Sequence, residues 1–167
     1  MTLKELCLLN PNQIHALTPD YRKQVLGFLG ERVVAKIHNT QHVALSPDQY
    51  DREKDMVING QTVEVKTQKP WLLQDCFTVR PAQIPKCRGV DRLVFVDMDS
   101  SEIVETIPQS FKVFYKKTKS GLEMALIPRK QSCHWIIGHL TPRQLEIMRP
   151  FAMTEYPNYQ PPTVEID

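Results

Sequence analysis

No apolar run in this chain approaches the roughly 20 residues that a membrane-spanning helix needs, and the N-terminus carries no signal-peptide pattern. A cytoplasmic protein without a membrane partner is expected. The four cysteines, Cys7, Cys76, Cys87 and Cys133, have no C-x-x-C spacing. That argues against a zinc knuckle and reads as reduced, mostly buried thiols. Glycine is scarce, at six residues, with no glycine-rich phosphate loop and no internal repeat. No serine or cysteine nucleophile motif supports a covalent hydrolase or transferase. A strong excess of one charge is missing as well: 21 Lys and Arg stand against 19 Asp and Glu, a net charge of +2. Whole-chain charge therefore does not mark a nucleic-acid binder.

What is present is an ordinary globular balance, 167 residues with 41% apolar and 24% charged. This suits one domain with a real core over residues 1–153, followed by an acidic tail, residues 154–167, with three acids and three prolines. Charge is unevenly placed. Lys112 to Lys130 holds six basic residues against Glu123, and Arg80 to Arg92 holds four against Asp91. Such patches suit a phosphate-contacting surface or a simply solvated face.

The most informative stretch runs from Asp55 to Lys66. Asn59-Gly60 between alternating, β-branched flanks predicts a hairpin, because a type I′ turn needs positive φ at both central residues. Counting outward pairs Ile58 with Gln61, Val57 with Thr62, Met56 with Val63 and Asp55 with Glu64. Thr62, Glu64 and Lys66 then share one face, and Val63 and Val65 the other. The Asp55 and Glu64 Cβ atoms would stand about 5 Å apart and their charges repel by on the order of 3 kcal/mol. A bridging divalent cation would compensate them, with Lys66 beside any phosphate on that metal. Taken alone, Glu64-Val65-Lys66 also suits a solvated face, and Glu53 stands opposite Lys66 as a simple ion-pair partner.

Around the hairpin, Thr18-Pro19 predicts a cap and a helix to Ile37, with Val25, Phe28, Leu29, Val33 and Ile37 on one face and a break expected near Gly30. Glu31 suits the first turn of the second piece. A short strand at 42–45, a strand from Phe77, a turn or short helix at Pro81–Lys86 and a buried strand Arg92–Asp97 follow. His38 and His42 read as surface or structural histidines. Trp71 reads as core packing, with stacking on a base as the alternative. Residues 102–135 read as β-rich. Their hairpin, with Tyr115, Lys116, Lys117 and Lys119 near the tip, either faces DNA or uses lysine to guard a sheet edge. Thr141-Pro142 opens a last helix whose Leu145, Met148 and Phe151 face a core or a partner.

An acid at the start of one strand and Glu-x-Lys on the next resembles the active-site hairpin of the PD-(D/E)XK, restriction-endonuclease-like, nuclease superfamily. The resemblance is at motif level and covers about residues 27 to 97. It implies an α/β fold, a mixed central sheet flanked by helices, here elaborated by a C-terminal β-hairpin and helix. It implies a DNA endonuclease, of restriction, homing or junction-resolving type, dependent on Mg2+ or Mn2+ and acting as a homodimer. Asp55 and Glu64 would ligate the metal with the Val65 carbonyl, Lys66 would be catalytic, and Glu31 would complete the site. Arg80, Gln83 and Lys86 would touch phosphate or orient water. The alternative is a non-catalytic DNA-binding or assembly module with the same core.

Overall fold

The computed structural model describes residues 5–6, 8–39, 56–68 and 75–152. Asp55, Glu53, the expected strand at 42–45 with His42, Trp71 and the tail from 154 lie outside the described residues.

The fold is α/β. A five-stranded mixed sheet has the order β1-β2-β4-β5-β8, and a smaller sheet has the order β3-β7-β6. The first comprises β1 (Met56–Ile58), β2 (Gln61–Gln68), β4 (Arg92–Asp97), β5 (Glu102–Thr106) and β8 (His134–His139). The second comprises β3 (Cys76–Val79), β6 (Phe114–Lys117) and β7 (Glu123–Pro128). β2 and β4 are parallel, and the other pairings in both sheets are antiparallel. Parallel neighbours need a crossover. Here it runs through β3, a 3-10 turn at Pro81–Gln83 and α3 (Ile84–Gly89).

Helices cover one face of the large sheet. α1 (Pro11–Ala16) begins with a reciprocal cap: Gln13 N–H donates to Asn10 Oδ1 and Asn10 N–H donates to Gln13 Oε1. α2 (Pro19–Ile37) has the expected bounds and starts as its sequence requires, with Thr18 Oγ1 accepting from Tyr21 N–H. α4 (Pro142–Ala152) is closed by the Thr141–Gln144 pair in the same reciprocal way. Val25, Leu29 and Val33 of α2 pack with Ile147, Met148 and Phe151 of α4 onto Val63, Val65, Val94, Val96 and Ile103 of the sheet. The apolar face of the last helix therefore lies in the core. Ile37, at the end of α2, stays exposed.

The other face of the sheet meets α3 and the small sheet. Leu93, Phe95 and Val104 pack against Phe77, Ile84, Cys87, Ala125 and Ile127. The Phe77 and Phe95 rings stack 4.1 Å apart and join the two layers. Cys87 is buried, and Cys76 and Cys133 are half-buried, all three as free thiols. No described helix is long and apolar enough to cross a membrane.

α2 does not break at Gly30. An ideal Cβ there would fall 1.8 Å from Thr67 Oγ1 on β2, so glycine is what lets the helix lie this close to the strand. Buried packing over the whole length outweighs the lower helix propensity.

Candidate active site

Both central residues of the hairpin turn lie in the left-handed region, Asn59 at φ 51° and Gly60 at φ 80°. The observed pairs, Ile58–Gln61, Val57–Thr62 and Met56–Val63, follow the counted register. The start of the strand is clasped to β4: Thr62 N–H donates to Asp91 Oδ2 at 2.8 Å, and Asp91 N–H donates to Thr62 Oγ1 at 3.1 Å. Alternation then divides β2. Val63 and Val65 enter the helical core, which leaves Val65 only its main-chain carbonyl for any role at the site. Glu64 and Lys66 stand beside Leu93 and Phe95, on the face that meets α3 and the small sheet.

Glu64 is only 1% exposed, and its carboxylate lies between two ammonium groups. Lys66 Nζ is 3.0 Å from Oε1, and Lys86 Nζ is 3.3 Å from Oε2. Lys66 also donates to Gln83 Oε1 at 2.9 Å. Gln83 ends the 3-10 turn and Lys86 sits in α3, so the crossover brings both onto the motif strand. Glu64 Oε2 is buried without a hydrogen bond; the Lys86 ammonium is in ion-pair range but outside hydrogen-bonding geometry. Among the described residues this group holds one carboxylate and two ammonium groups, and ammonium groups suit a phosphate.

Glu31 is 4% exposed and follows Gly30, the point where α2 crosses β2 at Thr67. Its helix thus packs on the Val63, Val65 and Thr67 side of β2, the face opposite Glu64 and Lys66. Gln68 has a structural partner: its Oε1 accepts from Thr78 N–H at 2.8 Å and ties the end of β2 to β3. Arg80 is exposed after β3, Lys116 and Lys117 are exposed on β6, and Lys119 is exposed at its turn. Of the residues expected at DNA, Gln83 and Lys86 are the ones that join the Glu64–Lys66 group.

Two polar clusters escaped the sequence reading. Asp97, fully buried at the end of β4, accepts from Asp99 N–H, Ser100 N–H and Ser100 Oγ, and Arg129 Nε lies 3.3 Å from its Oδ2. Arg129 also pairs with Glu102 and reaches Asp75 at 3.9 Å. The available signal was an acid closing an apolar run. At the opposite end of β4, Arg92 Nε donates to Glu105 at 2.9 Å and its guanidinium donates to His38 Nε2 at 3.2 Å. Arginine only donates, so His38 Nε2 must be unprotonated. Burial, and next Arg92, lower the His38 pKa, against an opposing pull from Glu105. Burial also lowers the pKa of His134, against hydrogen bonds to main-chain groups. His134 Nε2 donates to the Pro128 carbonyl at 3.1 Å, so Nδ1 accepts from Thr106 Oγ1.

Among the described residues no three acid, histidine or cysteine side chains gather as a metal site. The second carboxylate of the expected pair, Asp55, lies outside them. Within the described part, a divalent ion fits Glu64 by donor chemistry: a carboxylate is a hard oxygen ligand, and its Oε2 is buried with no hydrogen bond to satisfy it. No protein family, curated protein or solved structure matches the chain.

Proposed function

We propose that this chain is a Mg2+-dependent DNA endonuclease of the PD-(D/E)XK kind, hydrolysing phosphodiester bonds. The observation that carries the reading is the hairpin strand itself. Its Glu64 is buried, its Lys66 ammonium is pinned 3.0 Å from Glu64 Oε1, and both follow on the strand whose described pairs, as far as Met56–Val63, keep the counted register. The element order, helix, hairpin, crossover and buried parallel strand, also accords with that superfamily's core.

In this reading Glu64, Asp55 and the Val65 carbonyl would hold the ion. When bound, Mg2+ supplies Lewis-acid polarisation of the phosphate and lowers the pKa of the attacking water. Lys66 is held at two points, Glu64 Oε1 and Gln83 Oε1, so its ammonium is pre-positioned to stabilise charge on the phosphate or to hold the water. Gln83 acts through Lys66 by orienting it. Arg80 and the exposed Lys116, Lys117 and Lys119 contact the DNA backbone. A homodimer, which gives two active sites for two strands, would need a surface other than the 142–151 helix, whose apolar side is buried in the core.

A second reading rests on the edge hairpin, where Phe114, Tyr115, Lys116 and Lys117 are all exposed. Aromatic and basic residues together suit DNA contact without any metal, as in a non-catalytic binding module. The Asp55→Ala protein separates the two. The nuclease reading expects it to lose Mg2+-dependent cleavage while still shifting DNA in a gel with EDTA. If the wild type binds DNA but cuts none in Mg2+ or Mn2+, the binding module stands and the nuclease reading falls.

A further inference from the structure

The second cation on Glu64 has no part in that mechanism. Lys66 covers one carboxylate oxygen. The other, Oε2, is the edge left for a metal, and the Lys86 ammonium stands 3.3 Å from it. A divalent ion and an ammonium cannot both sit against that oxygen without strong mutual repulsion. A carboxylate 1% exposed also needs a counter-charge whenever no metal is bound. Lys86 is suited to supply one reversibly. It rises from α3, a six-residue helix, and its side chain is 20% exposed. Its flexible four-carbon stem can swing toward solvent without moving the helix.

We infer that Lys86 is a resident counter-ion of Glu64 which a divalent metal displaces on binding, and which then turns its freed ammonium toward the substrate phosphate. The inference rests on the reading of Glu64 as a metal ligand. Lys86 is thus a positioning residue. It pairs with the buried carboxylate and holds it in place before the metal arrives, and it weakens metal binding by competing for Oε2.

The test is calorimetric titration of Mn2+ into the purified full chain, as wild type, Lys86→Met, Lys86→Arg and Glu64→Gln. Removing the competing charge should tighten Mn2+ binding by about tenfold in Lys86→Met, while Lys86→Arg stays near wild type. Equal or weaker binding by Lys86→Met overturns the inference and leaves the nuclease reading standing. Absence of Mn2+ binding in both wild type and Lys86→Met overturns the two together. Should Lys86→Met fail to fold, the wild type alone decides. Acetylation of Lys86, followed by mass spectrometry, should be several-fold faster with saturating Mn2+ than with EDTA, and this difference should vanish in Glu64→Gln. A Lys86 acetylation rate indifferent to Mn2+ overturns the inference.

Discussion

Replacing Gly30 with alanine puts a methyl group where no space exists. The new Cβ would lie 1.8 Å from Thr67 Oγ1 and 3.1 Å from Thr67 Cβ. Rotating the threonine relieves the first contact but not the second, so helix and strand must separate. Such overpacking costs about 3 kcal/mol at the upper end of its range. Alanine recovers about 1 kcal/mol in helix propensity. The net loss is therefore about 2 kcal/mol, a fall in Tm of roughly 4–8 °C for a chain of this size. Thr67→Ala alone should be close to neutral, because the hydroxyl it removes is buried without a hydrogen-bond partner among the described residues. Combined with Gly30→Ala, it should recover part of the loss, a coupling of about 1–2 kcal/mol in a double-mutant cycle. Thermal melts of the four proteins measure it. A higher Tm for Gly30→Ala, additive with Thr67→Ala, would show that α2 does not touch β2 there. Under the proposed function, DNA cleavage should fall with stability, since α2 buttresses the strand that carries Glu64 and Lys66.

The remaining predictions concern the turn, two histidines and one arginine. Asn59→Ala with Gly60→Ala places two alanines at positive φ and should cost about 2 kcal/mol or more in denaturant melts; an unchanged midpoint would refute the turn. The His38 and His134 pKa values are lowered in the folded protein, so the unfolded chain binds more protons in the window below about pH 6.5. Their contribution to stability is full above that pH and is lost as pH falls through their folded values. A melt series should show this loss, and His38→Gln with His134→Gln should flatten it. Arg129→Ala removes the counter-charge of the fully buried Asp97 and should destabilise by about 3 kcal/mol, read from chemical denaturation.

Local chemistry made much of the fold legible in the sequence. The 19–37 helix carries its own cap and proline, the hairpin register follows from a two-residue turn, and the apolar run of β4 announces a central strand. What stayed hidden is non-local. β3 pairs with β7 across some fifty residues of chain, and nothing in either strand names the other. The sequence places Gln83 and Lys86 beyond the motif strand, as groups that touch phosphate or orient water. Only the crossover path returns them to Lys66 and Glu64. Gly30 suggests a break because propensity is local, whereas its reason, Thr67, lies on another element. Nothing in the His134–His139 stretch names β5 as its partner, although it forms β8 at the sheet edge.

Cleavage of a DNA panel by the wild type and by Lys66→Ala bears most directly on the proposed activity. The panel holds supercoiled plasmid, linear duplex, single strand and a four-way junction, each with Mg2+ or EDTA. The wild type should cut at least one substrate in Mg2+ and not in EDTA, and a Lys66→Ala protein that still folds and binds DNA should lose that cutting. Equal cutting by Lys66→Ala, or no cutting by the wild type, would contradict the proposed activity.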